Sequence, residues 1–282
     1  MAKAWHAKPI YLLVALALVL ASGLFLVPQT AASPDEATFY STNADGYMYA
    51  DDENYSIAHG ASSGTVIPSE MFLAVGQMLF SEKESSKEKE PGPEEGLYSI
   101  FRGALFFDTS SLPDDATITS ATLSLYGYSD SSETDFDITV VDGSVLNEPL
   151  ESADYGDLRS QTVSGGAFDT AGFSASGYND IPLNETGMGW ISKTGITKFG
   201  LRSSRDIAAT EPTGDEFVNV CASEKGEGYQ PKLVVTYATP TPIVGVGGEA
   251  HVVNKLSLLA PWIGVCVALI AGASLFLRRR RA

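Results

Sequence analysis

Residues 101–128 read FRGALFFDTSSLPDDATITSATLSLYGY, and this passage carries the strongest secondary-structure pattern in the chain. Its first part, Phe101–Phe107, is apolar on both faces, as expected of a central strand in a sheet. In its last part apolar and polar residues alternate from Ala121 to Leu125, which indicates a strand with one buried face. Pro113 and the two aspartates after it indicate a turn between the strands.

The same strand pattern recurs elsewhere in the chain. Apolar and polar residues alternate from Phe136 to Val141 and again from Leu233 to Tyr237. Turn signals such as SGG and PTGD separate such segments, and no long stretch has the apolar spacing of a helix. Many short strands without long helices predict an all-β fold, either a sandwich or a barrel. We expect one domain over residues 33–238.

Arg102 is the one charged residue in the apolar strand. A buried guanidinium group needs a carboxylate or carbonyl partner, because an isolated charge in a core is costly. Asp108 points to the same face of the strand, but it lies six residues further on and too far away to meet Arg102. The sequence therefore predicts that the partner of Arg102 comes from another strand.

Two long apolar segments lie outside the predicted domain. Residues 1–32 combine Lys3 and Lys8 with an apolar run and small residues, which predicts a secretory signal peptide, with an uncleaved signal anchor as the alternative. Residues 256–277 carry no charge and are long enough to cross a bilayer as a transmembrane helix. The basic tail, residues 278–282, favours a cytoplasmic C-terminus. We expect a single-pass cell-membrane protein whose domain lies outside the cell.

Two polar segments complete the predicted organisation. Residues 81–96 are rich in acidic and basic residues and are broken by Pro and Gly, which predicts a disordered loop. The wider segment 68–96 is interpreted as an enlarged loop. Residues 239–255 are rich in Pro, Gly and small residues, which is typical of a stalk between a domain and a membrane.

Charge excludes one class of partner. The chain has 282 residues and a net charge of −17. All 35 acidic residues lie in the segment 33–255 together with 12 of the 18 Lys and Arg residues, so this segment carries a net charge of −23. Nucleic-acid binding needs a basic surface, and no nucleic-acid partner is expected.

Three passages of the chain carry a family resemblance. They are DGYMYADDENYS at 45–56, RGALFFDTSSLPDDATITSATLSLYGY at 102–128 and FVNVCASEKGEGYQPKLVVTY at 217–237. They resemble the DNRLRE domain, a carbohydrate-binding-module-like family related to the disaggregatase-type proteins of archaea. The resemblance implies a jelly-roll-like antiparallel β-sandwich in an extracellular protein.

An acidic segment near the start of the domain is a candidate metal site. Carboxylate oxygens around a turn are the hard ligands that Ca²⁺ prefers, although the spacing is not that of an EF-hand loop. The alternative is a solvated acidic turn that binds no metal. The predicted calcium ligands are Asp45, Asp51, Asp52 and Glu53.

Aromatic residues with polar neighbours are candidates for sugar binding. Tyr126 faces away from the apolar side of its strand, and Tyr128 continues that face. The alternative for each candidate is packing in the core or on a strand surface. The predicted carbohydrate-binding residues are Tyr47, Tyr126, Tyr128 and Trp190.

Catalysis has little support in the sequence. His59 is the one histidine in the predicted domain, so a Ser–His–Asp set would need it, and it lies in a segment interpreted as a loop. With so many acidic residues, a glycosidase carboxylate pair cannot be told from solvated surface. We predict a non-catalytic cell-surface binding module that recognises polysaccharide, with calcium as its candidate ion. The alternatives are a structural or adhesion protein that binds envelope proteins, and a glycoside hydrolase.

Overall fold

The computed structural model describes residues 34–68, 71–81 and 96–240, which form a curled, mostly antiparallel β-sheet with four short α-helices. The strands are β1 (Asp35–Tyr40), β2 (Gly46–Asp52), β3 (Thr65–Pro68), β4 (Phe72–Ser81), β5 (Gly96–Asp108), β6 (Thr117–Ser132), β7 (Asp137–Asp142), β8 (Gly166–Asp169), β9 (Tyr178–Pro182), β10 (Ile196–Ser203), β11 (Asp215–Cys221) and β12 (Lys232–Ala238). The helices are α1 (Tyr55–Gly60), α2 (Asp154–Arg159), α3 (Glu185–Gly189) and α4 (Ser204–Ile207), and 3-10 turns occupy Thr170–Gly172 and Ser223–Lys225. The predicted all-β class is confirmed.

The strands follow the order β1-β12-β6-β11-β4-β5-β10-β7-β8. In addition, β2 pairs with β5 and β3, and β9 pairs with β6. All pairings are antiparallel. The strand predicted from Phe101–Phe107 is part of β5, which pairs with three other strands and is central as predicted.

The two faces of β5 contribute to two different cores. Leu105 and Phe107 lie in a first core that the curled sheet encloses. Ile100, Ala104 and Phe106 lie in a second core, between the other face of the sheet and helices α1 and α2. Burying a large apolar side chain of this kind contributes about 1.5–3 kcal/mol, so a strand buried on both faces contributes to both cores at once.

The other predicted strands also bury their apolar positions. In β6 the alternating residues 121, 123 and 125 face the first core, as do 138 and 140 in β7 and 233 and 235 in β12. Two of the predicted loops contain regular secondary structure instead. The segment around His59 was interpreted as a loop and contains α1, which Asn54 caps by accepting a hydrogen bond from the Ser56 amide. The enlarged loop of residues 68–96 contains β4, which pairs with β5 and β11.

Arg102 is fully buried in the second core, and its partner is Asp206 of α4. Arg102 donates from Nε and Nη2 to the two carboxylate oxygens of Asp206, over 3.0 and 2.7 Å. Arg202 donates from Nε to Oδ2 of the same carboxylate over 2.7 Å. The partner therefore lies on a short helix that follows β10, so the prediction of a partner on another strand is wrong.

The remaining donors of the two arginines reach backbone carbonyls. Arg102 donates to the carbonyl oxygens of His59 and Tyr155, and the Tyr155 ring stacks on its guanidinium group at 4.1 Å. Arg202 donates to the carbonyl oxygens of Arg159 and Gln161. Burial by itself would raise the pKa of Asp206, but Arg102, His59 and Arg202 lower that pKa well below its usual range. The carboxylate is thus held in its charged form.

Several predicted segments lie outside the described residues. These are the signal peptide (1–32), most of the polar loop (82–95), the stalk beyond Pro240, the transmembrane helix (256–277) and the basic tail (278–282). Within residues 34–68, 71–81 and 96–240, no helix is long and apolar enough to cross a membrane.

The Asp206 network gives a prediction about stability. Asp206→Ala leaves two buried guanidinium groups without a counter-charge, so we expect it to lower the free energy of unfolding by about 3–5 kcal/mol. Urea unfolding of the full chain in detergent measures this loss. Asp114→Ala, in an exposed turn, is the control and should change stability by less than about 0.5 kcal/mol. Equal, small effects of both substitutions would contradict the prediction.

Candidate functional site

A series of aromatic side chains extends across the sheet in two groups of ring-to-ring contacts, which Lys225 links between Tyr128 and Tyr229. We call this series the aromatic ribbon. In order of contact its rings belong to Tyr49, Tyr47, Phe72, Tyr128, Tyr229, Tyr126 and Tyr178. Four strands and one loop supply these residues, so the ribbon exists only in the folded chain.

The first half of the ribbon contains near-parallel rings. Tyr47 and Phe72 lie 6.4 Å apart between ring centroids with planes 21° apart, and Phe72 stacks on Tyr128 at 5.2 Å and 19°. Phe101 packs against the Tyr47 ring at 6.3 Å and against Phe217 at 5.5 Å. These contacts support the rings from the sheet and limit their rotation.

Gly76 makes the contact between Phe101 and Phe217 possible. It pairs with both residues in adjacent strands and has a φ of +134°, which glycine adopts without strain. A Cβ at this position would lie 2.2 Å from the Glu216 carbonyl oxygen and 2.5 Å from the Phe217 Cα. With no side chain between them, the two phenyl rings meet across β4.

The second half of the ribbon has edge-to-face contacts. Tyr126 meets Tyr178 at 5.2 Å and Tyr229 at 4.9 Å, with ring planes nearly perpendicular in both pairs. The Tyr126 hydroxyl donates to the Ser176 carbonyl oxygen over 2.7 Å, and the Tyr178 hydroxyl donates to that of Gln230 over 3.1 Å. These bonds fix the direction of both rings.

Two lysines lie on the ribbon. Lys225 Nζ is 5.1 Å from the centroid of Tyr128 and 6.0 Å from that of Tyr229, so it links the two halves. Lys232 Nζ lies 4.0 Å above the Tyr178 ring. In the part of the chain that the structure describes, neither lysine makes an ion pair, and each ammonium group faces aromatic rings.

The ribbon is open to solvent. Tyr128 and Tyr229 are 40% and 41% exposed, and the other rings are partly buried. The exposed rings of Tyr128 and Tyr229 and the ammonium groups beside the ribbon together form an amphipathic surface. Such a surface can stack on a ligand ring and donate hydrogen bonds to its hydroxyl groups.

One segment of the ribbon lies on a loop, residues 222–231, which we call the ribbon loop. It carries Lys225 and Tyr229, and Gly226 and Gly228 in it have positive φ angles. The loop is held at its start by Asp45. The Ser223 amide donates to Asp45 Oδ2 over 2.9 Å and the Ser223 hydroxyl donates to Oδ1 over 3.0 Å.

Asp45 is fully buried, and Ser41 also donates to its Oδ2, over 3.0 Å. Burial and the negative charge of Glu224 raise the pKa of Asp45 to about 6, against the opposing effect of the hydrogen bonds from Ser223 and Ser41. The loop is held at its other end by the same segment between β1 and β2, because the Ser41 amide donates to the Pro231 carbonyl oxygen over 2.9 Å.

The structure separates the predicted calcium ligands. Asp45 is buried under Ser41 and Ser223, whereas Asp51 and Glu53 are exposed at the end of β2. Asp52 accepts a hydrogen bond from the Asn54 amide in the turn before α1. Within residues 34–68, 71–81 and 96–240, no group of three or more His, Cys, Asp or Glu side chains is arranged to hold a metal ion.

The predicted sugar-binding residues divide into two sets. Tyr47, Tyr126 and Tyr128 all belong to the ribbon. Trp190 follows α3 and packs against the first core, as Tyr47 also does, but it takes no part in the ring contacts that define the ribbon. Its ring lies over Gly165, where a Cβ would approach the Trp190 Cζ3 atom to 2.2 Å. In this structure Trp190 is a packing residue.

About half of the ribbon residues were not predicted from the sequence. Phe72 lies in the strand that was interpreted as a loop, and Tyr178 and Tyr229 lie in segments without a clear alternating pattern. Lys225 was missed as well. The sequence YQPK at 229–232 contained a weak signal for Tyr229, because it places a tyrosine close to a turn residue, Pro231, and to the start of a strand.

His59 has a structural role. Its Nε2 lies 2.9 Å from the Asp206 carbonyl oxygen and 3.3 Å from Asp206 Oδ1. Both of these atoms accept hydrogen bonds, so Nε2 carries the proton. The histidine thereby joins the buried arginine network and is not placed as a base beside a serine nucleophile.

Comparisons with known proteins add little. A scan against protein-family models finds no match, and a search of curated proteins finds none. A chain in the cryo-EM structure of Mud crab tombus-like virus is similar over 78% of this chain and 86% of its own length, with 14% identity and a TM-score of 0.25. A TM-score this low supports no conclusion about fold or function.

The placement of Trp190 gives a prediction. Trp190→Ala removes a partly buried ring from the edge of the first core, so we expect it to lower the free energy of unfolding by about 2 kcal/mol. Thermal unfolding of the full chain measures this. Tyr229→Ala, in the open ribbon, serves as the comparison and should cost less than about 1 kcal/mol. A larger loss for Tyr229→Ala than for Trp190→Ala would contradict the assignment.

Proposed function

We propose that this chain is a non-catalytic cell-surface protein that recognises carbohydrate through the aromatic ribbon. In this proposal the domain is a jelly-roll-like β-sandwich of the DNRLRE type. A signal peptide, residues 1–32, directs it out of the cell, and a transmembrane helix, residues 256–277, holds it on the membrane with the C-terminus in the cytoplasm.

The aromatic ribbon is the observation that supports sugar recognition. A pyranose ring has an apolar face of C–H groups and an edge of hydroxyl groups, so it matches a surface of aromatic faces beside donors. The ribbon offers near-parallel rings from Tyr47 to Tyr128, and Lys225 supplies an ammonium donor beside two of its tyrosines. Its rings are already oriented by packing, which lowers the entropy cost of binding.

The non-catalytic assignment draws on the buried ionisable groups. The negative charge of Asp206 is balanced by two arginines, and His59 is hydrogen-bonded to Asp206. Asp45, whose raised pKa would suit a general acid, is covered by protein donors. A hydrolase needs such groups to converge on an open cleft.

A second candidate is an adhesion or structural protein that binds other envelope proteins. Phe80 and Leu97 are opposite each other in β4 and β5 and are 51% and 39% exposed, so they form a small apolar patch away from the ribbon. An exposed apolar patch of this kind favours a protein partner. Substitutions in this apolar patch and substitutions in the ribbon can be tested separately.

A glycan array with the full chain in detergent tests the primary proposal. We expect specific glycan binding that Tyr128→Ala and Tyr229→Ala each weaken by about tenfold, corresponding to about 1.4 kcal/mol per lost stacking ring. Phe80→Ala is the matched control, because it also removes an exposed ring and should leave glycan binding unchanged. Measurement with and without added calcium shows whether the predicted calcium ligands contribute.

Two outcomes would overturn the proposal. Folded protein that binds no glycan under either calcium condition would contradict carbohydrate recognition and turn attention to envelope proteins. Glycan binding that is lost in Phe80→Ala but kept in both tyrosine variants would place the site on the apolar patch instead of the ribbon.

A further inference from the structure

Near the start of the ribbon loop, a serine hydroxyl, that of Ser223, lies between two carboxylate oxygens. Ser223 Oγ lies 3.0 Å from Asp45 Oδ1 and 2.9 Å from Glu224 Oε2. A serine hydroxyl has one proton, so it can donate to only one of the two carboxylates. When both carboxyl groups are ionised, one of these two short contacts has no hydrogen between its oxygen atoms.

A second proton completes the arrangement. If it sits on Asp45 Oδ1, Asp45 donates to Ser223 Oγ, and Ser223 donates its own proton to Glu224 Oε2. Each short contact then contains one hydrogen atom. Protonation also removes the negative charge of Asp45, which lies next to that of Glu224. The Ser41 hydroxyl and the Ser223 amide continue to donate to Asp45 Oδ2 in either state.

We propose that Asp45, Ser223 and Glu224 form a proton-binding latch that tightens the ribbon loop and so regulates the aromatic ribbon. Ser223 begins the 3-10 turn that contains Lys225, and the Gln230 side chain donates back to the Ser223 carbonyl oxygen over 3.2 Å. A displacement of Ser223 therefore moves both the 3-10 turn at the start of the loop and Gln230 near its end. The inference rests on the proposed function for its biological meaning, because the loop supplies Lys225 and Tyr229 to the ribbon.

The groups that face Asp45 determine the direction of the effect. Ser41, directly after β1, and Ser223 on the 3-10 turn donate hydrogen bonds to Asp45, and Glu224 is the charged side chain that acts on Asp45 most. The pKa of Asp45 is raised above its value in the unfolded chain, so the folded protein binds the proton more tightly. Stability from this group therefore increases as the pH falls through about 6 and is lost as the pH rises through it.

NMR of the full chain in detergent tests the latch without any ligand. Aspartate labelled with ¹³C at the carboxyl group reports the protonation of Asp45, and ¹³C-labelled lysine reports the position of Lys225 over the tyrosine rings. We expect the Asp45 carboxyl signal and the Lys225 side-chain signals to titrate together with a midpoint near pH 6. Lys198 of β10 is the internal control, since it lies over the Phe106 ring and donates to the Leu146 carbonyl oxygen, away from the ribbon loop, and should not shift at this midpoint.

Two variants separate the latch from ordinary packing. Asp45→Asn should remove the Lys225 transition near pH 6. Glu224→Gln changes an exposed residue and keeps the fold, and it should lower the proton affinity of Asp45 severalfold because it removes the second negative charge. Glu227→Gln, an exposed acidic residue of the same loop, is the matched control and should leave the midpoint unchanged.

Either of two results would overturn the latch. One is an Asp45 carboxyl signal that titrates near its ordinary pKa of 3.8. The other is a Lys225 signal that does not follow Asp45, even if Asp45 titrates near pH 6. Absence of glycan binding at both pH 5 and pH 7, with the NMR transition present, would contradict the proposed function and leave the latch standing.

Discussion

One buried carboxylate, that of Asp206, joins the sheet to the helices that cover it. It balances the two guanidinium groups of Arg102 and Arg202, which lie on the adjacent strands β5 and β10. Neither arginine could be buried alone, because the desolvation of an unpaired charge costs several kcal/mol. The donors that remain reach the backbone of α1, α2 and the segment after α2, so the ion network connects these three parts with β5, β10 and α4.

This network and the aromatic ribbon depend on the same strand. On β5, Arg102 faces the second core, whereas its neighbour Phe101 faces the rings of Tyr47 and Phe217. Strand geometry turns successive side chains to opposite sides, so one strand can hold a charged side chain on one side and support the aromatic ribbon on the other. The position of the ribbon is thus linked to the burial of Arg102.

Two buried aspartates show how environment decides the state of the same functional group. Asp206 meets two arginines, and its pKa is lowered; Asp45 meets two serines and a glutamate, and its pKa is raised. Hydrogen bonds from neutral hydroxyl and amide groups do not replace the stabilisation that a nearby cation supplies in a core. Asp206 therefore acts as a permanent structural charge, while Asp45 is suited to exchange a proton within the physiological range.

Much of the fold could be predicted from the sequence, and less of the candidate site. The period-two pattern of β6, β7 and β12 and the continuous apolar run of β5 predicted an all-β fold correctly, because side-chain alternation is local and each strand shows it. The same alternation placed Tyr126 and Tyr128 on the outer face. It missed β4, whose run FLAVGQMLF is interrupted by Gly76, and α1, whose six residues are too few to show a helical period.

The long-range contacts could not be predicted in this way. Asp206 and Arg102 are separated by 104 residues, and Asp45 and Ser223 by 178. Tyr229 joins Tyr126 through a loop without any periodic pattern. By itself, the sequence determined which residues are apolar, how they alternate and how acidic the chain is, because these properties belong to each segment alone. Only the tertiary structure decided which distant side chains share a charge, a proton or a ring contact, because those depend on how the sheet curls and how its strands pair.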